Sequence, residues 1–388
     1  LIWKQFALLV FLLPPLVSAQ GLTFIDAQFD GVDGVEGLGG PRIVAVSPDG
    51  ANVYVAGEGD NSIAVFARDR STGTLNFLQT VTEGVDGVEG LVKVSGVAVS
   101  RDGGNVYTSS AGESAVAVFA RNRRDGTLSF VEVLREGLDG VSGLGTPGVG
   151  ITLSPNGKSV YVVASGSTDS VIVFKRKRSD GTLTFVETEK DGVNGVEGLN
   201  GAFGTAVSPD GRHVYVNGVN DSSIAVFSRS PVDGSLTFVE AEVEGVDGVE
   251  GLAGARFVAV SPNGGQVYAV GLFSSGIAIF SRDRASGALD FQEAVFDGVD
   301  GVEGLGFPVS IAVSPNGSRV YAVGFFGSVA VFDRDHALGS LSFVEAEFDG
   351  VDGVDGIAGS VSVTSSQDGD NLYVVGFDDS GLATFEVD

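Results

Sequence analysis

The 388-residue chain carries 50 acidic against 23 basic side chains, a formal net charge of -27, with 59 glycines and neither cysteine nor methionine. That charge argues against nucleic acid or an anionic membrane as a partner, because both require basic patches. The lack of cysteine excludes a disulfide framework, a thiolate metal site and a cysteine nucleophile.

In chain order, the opening stretch LIWKQFALLVFLLPPLVSAQ sets one Lys before an apolar run that ends in Val17-Ser18-Ala19. This pattern predicts a secretory signal peptide over residues 1–19, an exported protein, and no membrane association once the peptide is cleaved. FDGVDGVEGL follows at 29–38 and returns six more times in close variants. The first acids of the seven copies are Asp30, Glu83, Glu136, Asp191, Glu244, Asp297 and Asp349, at intervals of 52–55 residues. Such a period, made of short strands, marks a β-propeller blade.

One unit shows the strands. RIVAVSPDG (42–50) is a β-branched run ending in a turn in which Pro48 presets φ and Asp49 bonds backbone locally. NVYVAG (52–57) and SIAVFARD (62–69) follow, and Ser71-Thr72-Gly73 turns the chain into TLNFLQTV (74–81). No window has apolar residues at helical spacing, so helix content should be close to nil. The expectation is an all-β, seven-bladed β-propeller over residues 20–388, with four antiparallel strands per blade. Inner strands should begin near Arg42, Ser95, Val149, Phe203, Arg256, Val309 and Val361. The last unit stops after its third strand, GLATFEVD (381–388). GLTFIDAQFD (21–30) matches fourth-strand text, so residues 21–30 should complete blade 7 and close the ring.

The stretches VAVSPDGANVYVAG, VFARDRSTGTLNF and VFSRDRASGALDF resemble the lactonase-type seven-bladed propeller family, which includes cycloisomerase-type 6-phosphogluconolactonases and muconate-lactonising enzymes. The resemblance spans all seven units. It implies the fold strongly and activity weakly, because propellers host unrelated functions. Enzymes of the family work at one face of the ring with polar residues that include His and Arg. This chain has two histidines, His213 beside an SPDG turn and His336 in DRDHALGS, and both read as surface turn residues on the opposite face. No catalytic residue of the family transfers onto a numbered position.

The acidic loops join the outer strand of one blade to the inner strand of the next, so all seven ring one face. Their three acidic positions hold nineteen of the 50 acids. Repulsion within a Debye length of about 8–10 Å calls for compensation. Three candidates are bound divalent cations, a basic partner surface, and carboxylates capping backbone N–H groups. Ca2+ suits a loop offering carboxylates and glycine-turned carbonyls, although a spacing of three is not the EF-hand pattern. The metal candidates are Asp30, Asp33 and Glu36; Glu83, Asp86 and Glu89; Glu244, Asp247 and Glu250; Asp297, Asp300 and Glu303; and Asp349, Asp352 and Asp355. Val32, Val35 and Leu38 recur at the same spacing and are expected to seat the loop on the blade tops.

A ligand site needs residues that depart from the repeat. Arg42 and Arg256 occupy matching inner-strand positions near the channel mouth, where ion pairing with nearby loop acids is the simplest role. Phe273, Phe325, Phe326 and Phe377 replace polar loop residues and are expected to form a ligand patch or to pack beneath the acidic loops. The leading functional reading is an exported binding or structural module whose acidic face engages cations or a partner. The alternative is a lactonase-like hydrolase or isomerase acting on a neutral lactone. Self-association, with the acidic face docked on basic turns such as KRKRSD (175–180), is a third reading.

Overall fold

The computed structural model describes residues 21–388; the expected signal peptide lies outside the described residues. Among them, 28 strands form seven antiparallel sheets of four, and no helix is present. The blades are residues 41–82, 94–135, 146–190, 202–243, 255–296, 308–348, and 360–387 completed by the strand Leu22–Phe29. That N-terminal strand pairs with Gly381–Val387, with Phe24 opposite Phe385 and Thr23 opposite Glu386, so the ring closes as the repeat predicts. Inner strands start one residue before the expected positions in six blades. In blade 3 the inner strand starts at Thr146, three residues early.

Each blade buries nearly all of its second and third strands, as in Asn52–Gly57 and in Ser62–Arg68 apart from Ala67, because neighbouring blades cover both faces. The seven hydrophobic clusters accordingly lie between blades; Ile63 and Val65 of blade 1, for example, meet Val94 and Val106 of blade 2. Within every blade the third and outer strands set two phenylalanines edge to face, as in Phe66 with Phe77 at 5.7 Å. Six further pairs repeat this arrangement. Such pairs add about 0.5–1.5 kcal/mol beyond the area they bury.

A second repeated device locks the blades on the face away from the acidic loops. The Arg that ends the third strand is buried against the preceding blade. Arg176 donates to the Tyr107 hydroxyl (2.6 Å), to both oxygens of Asp102 (2.8 and 3.0 Å), to Asn105 Oδ1 (2.6 Å) and to the Gly157 carbonyl (3.1 Å). Arg68, Arg121, Arg229, Arg282 and Arg334 occupy the same place in five other interfaces. Between blades 6 and 7 the position is Val387, and the buried Tyr321 hydroxyl has no partner among the described residues.

This lock corrects the reading of His213. Its side chain is buried, at the position held elsewhere by Asn52 and Asn105, and its Nδ1 lies 2.6 Å from Arg282 Nη2. Burial, with the Arg282 charge adding to it, holds the imidazole below its ordinary pKa, so it serves as a neutral acceptor in the latch. The early Ser-Pro-Asp-Gly turn hid this, because His213 is the first residue of the strand after the turn. His336 is exposed, as expected.

Candidate active site

The face that carries the acidic loops also carries the loops between second and third strands, and the channel opens between them. The first acid of every acidic loop is a cap. Its carboxylate accepts the backbone N–H eight residues on, from Asp30 to Leu38 through Asp349 to Ile357, at 2.6–3.2 Å. The second position, Asp33 and its equivalents Asp86, Asp139, Asn194, Asp247, Asp300 and Asp352, sits in the left-handed region at φ 50–54°. Asp and Asn tolerate that region best among residues with a side chain. Gly37 must be glycine on two counts, since its φ is 88° and a Cβ there would lie 2.7 Å from Thr80 Cγ2.

Val35 and Leu38 are buried and do seat the loop, whereas Val32 is 50% exposed, as are its six equivalents to a similar degree. The cause is the turn in which Val35 N donates to Val32 O, which points Val32 outward. The third acids remain in solvent or pair locally, as Glu89 does with Arg135 at 3.0 Å. Among the described residues, one group of three acids converges: Asp349, Asp355 and Asp379, with carboxylate oxygens within 4.8 Å of one another. Burial, then the charges of Asp379 and Asp355, raises the Asp349 pKa. Three carboxylates offer at most six oxygens, the lower end of the 6–8 that Ca2+ takes. The other metal candidates do not converge in this way.

The channel mouth breaks the sevenfold pattern. Arg42 Nε pairs with Glu58 and its guanidinium lies 4.5 Å from the Phe377 ring centroid. Arg256, at the matching position of blade 5, behaves otherwise. It stacks 4.3 Å over Phe203, which itself packs edge to face on Phe257 at 5.9 Å. Its Nε is buried without a hydrogen-bond partner, and no carboxylate lies within ion-pair distance among the described residues. Burial lowers its pKa to about 10, and the nearby charge of Arg42 pushes the same way. The expected ion pairing therefore holds for Arg42 and fails for Arg256.

One strand behind this point stands Asn217, fully buried, with neither amide atom hydrogen-bonded. It lies opposite the Phe203–Gly204 irregularity in the inner strand, where a Cβ on Gly204 would fall 2.5 Å from the Arg256 carbonyl oxygen. The other blades have Ala56, Ser109, Val163, Val270, Val323 and Val375 at the equivalent position. Aligning the repeats would have exposed Asn217 as a departure, but attention to the loops passed it by.

The phenylalanines gather on one arc. Phe307 and Phe326 meet at 5.3 Å, and Phe325 and Phe326 at 6.0 Å. Phe273 covers Gly254, two residues before Arg256; a Cβ there would lie 2.6 Å from the Phe273 ring. The mouth thus presents an unpaired guanidinium, an Arg–Glu pair and aromatic rings along blades 5, 6, 7 and 1. At the other end of the channel, a 440 Å³ cavity has a single ionisable lining residue, Arg101.

The comparisons agree with this architecture. A family model described as "Lactonase, 7-bladed beta-propeller" matches residues 28–140 and 150–302. The 6-phosphogluconolactonase of Klebsiella pneumoniae is 29% identical over 156 residues, 39% of this chain and 45% of that protein. The 6-phosphogluconolactonase of Bacillus subtilis is 27% identical over 147 residues, 38% and 40% of the two chains. The chain thus spans less than half the length of these curated relatives. The periplasmic gluconolactonase of Pseudomonas aeruginosa superposes with a TM-score of 0.62 at 22% identity, covering 84% of this chain and 92% of that one, a likeness of fold. With its seven closed blades and a family match over most of its length, the chain belongs to the lactonase-type seven-bladed β-propeller family.

Proposed function

We propose that the protein hydrolyses a neutral lactone at the channel mouth on its acidic face. The observation that carries this reading is Arg256, a half-buried arginine whose Nε has no hydrogen-bond partner and which pairs with no carboxylate among the described residues, near the Arg42–Glu58 pair. A guanidinium kept free of carboxylates is a costly feature that a ligand oxygen would satisfy. Lactone opening develops negative charge on the carbonyl oxygen and ends in a carboxylate, and Arg256 suits both. Glu58, oriented by Arg42, takes a proton from the attacking water. The ring C–O bond breaks as the new C–O bond forms, and the departing alkoxide receives that proton, giving the hydroxy acid.

The relatives named above are 6-phosphogluconolactonases, yet the acidic loops argue for an uncharged substrate here. A phosphorylated lactone would have to approach a face that concentrates nineteen of the 50 acids. A pH-indicator assay on neutral γ- and δ-lactones and their phosphorylated counterparts tests this. Neutral substrates should turn over, and Glu58→Gln should lower kcat by about 10²–10⁴, the range for loss of a general base. Failure of the whole panel, or activity untouched by both Glu58→Gln and Arg256→Gln, would overturn the reading.

A further inference from the structure

We infer that the mouth binds an amphipathic carboxylate, its head on Arg256 and its apolar portion along the phenylalanine arc of blades 5 and 6. The inference rests on the mouth being the ligand site and adds the class of ligand. In blades 1, 4 and 7 the loop between second and third strands carries an acid, Asp60, Asp221 or Asp379, that accepts a backbone N–H of the adjoining acidic loop. Blade 5 has Ser274 there, and in blade 6 the loop is a residue shorter. The same loops carry Phe273, Phe325 and Phe326, which are 67%, 39% and 70% exposed, with Phe307 at 43% beside Phe326.

Large aromatics scattered singly on a surface are ordinary, but four gathered on one arc are not. Phe307 also holds φ at 51°, a left-handed conformation that strains a bulky residue and occurs where surrounding structure enforces it. Core packing does not explain the arc, since the rings remain open to solvent. Phe273 lies over Gly254, and Arg256 follows Gly254 by two residues, so the apolar side chain of blade 5 and the cation stand at the same end of one inner strand. Acidic loops flank this sector as they do every other, but the loops between second and third strands of blades 5 and 6 add no carboxylate, and Arg256 has none within ion-pair distance, so an anion is repelled least here. That combination fits a hydroxy acid, or its parent lactone, bearing an aliphatic or aromatic substituent.

Calorimetric titration of the 21–388 chain with butanoate, hexanoate and octanoate tests the ligand class without requiring turnover. Affinity should rise at least twofold per added methylene, against an upper figure of about fourfold for full burial of each. Octanoate binding should fall tenfold or more in Arg256→Gln and in the double variant Phe273→Ser/Phe326→Ser, whose rings are exposed and whose loss leaves the core intact. Equal affinity for butanoate and octanoate would overturn the apolar subsite. Octanoate binding unchanged in Arg256→Gln would overturn the head group. Chain-length-dependent binding with no lactone hydrolysed would sink the hydrolase reading while sustaining this one.

Discussion

Arg256 and Arg42 hold equivalent positions in the repeat but should respond to the same substitution with opposite sign. In Arg256→Met the charge is removed from a site where nothing neutralises it. A fall in pKa from the ordinary 12.5 to about 10 corresponds to about 3 kcal/mol of strain on the charged form. The side chain keeps part of its surface in the channel, so solvent screening brings that ceiling down to about 2 kcal/mol. Loss of the stack on Phe203 costs about 0.5–1 kcal/mol, and a methionine sulfur on the same ring returns a similar amount. The variant should therefore be more stable by about 1–2 kcal/mol. An unfolding entropy of about 2.1 cal/mol/K per residue makes each kcal/mol worth roughly 1.3 °C in a chain of this size. Tm should rise by about 1–3 °C while carboxylate binding is lost, the signature of a site that trades stability for function. Arg42→Met leaves Glu58 unpaired and should lower Tm. Differential scanning calorimetry at pH 7 in low salt reads both. A lower Tm for Arg256→Met would refute the claim that its charge is uncompensated.

Two further outcomes follow from the frame around the site. Arg176→Met strips three side chains of blade 2 and one carbonyl of its own blade of their donor, and leaves the largely buried Asp102 carboxylate without its cation. Breaking such a pair costs about 3–5 kcal/mol, so Tm should fall by about 4–6 °C. A fall under 1 °C would show that the latch is decorative. Glu242 is half-buried, and burial, with Glu240, Asp247 and Asp290 adding charge, lifts its pKa from 4.5 to about 7. Its ionisation therefore penalises the fold fully above pH 7, and the penalty fades as pH drops towards 4.5. Glu242→Gln should stabilise the protein by about 1–2 kcal/mol at pH 8, allowing for screening, and have no effect at pH 4.5. Paired urea melts at the two pH values check this, and a pH-independent difference would contradict it.

The fold was legible because seven copies of one sentence leave little room for another answer. The blade count, the four strands and the closure by Leu22–Phe29 all follow from aligning the units. The loop acids were legible in position, and capping of backbone N–H groups was one of the three roles the sequence allowed them, but the N–H each would cap was not legible. Periodicity marks Asp30 and Asp297 as equivalent, yet the N–H of Leu38 or Leu305 that each carboxylate accepts is eight residues on, a distance no motif announces. The latch was missed for a related reason. Arg176 and Asp102 are 74 residues apart, and their pairing becomes visible only once adjacent blades are stacked. His213 was misread because a residue next to a turn looks exposed until the neighbouring blade covers it.

The mouth is the harder case, and symmetry explains why. A repeated side chain is held in place by a repeated environment, so six latch arginines find six sets of acceptors. A residue that departs from the repeat meets neighbours fitted to something else. Arg256 has an aromatic ring below it and no acid beside it, and Asn217 has an apolar interface around an amide. Each is a cost that the six other blades avoid with residues such as Val309 and Val375 at the equivalent positions. Those costs cluster at one end of one channel and on adjacent strands, next to the arc where two loops exchange acid for phenylalanine. Their adjacency is what favours the mouth, rather than the far more abundant acidic loops, as the proposed site of action.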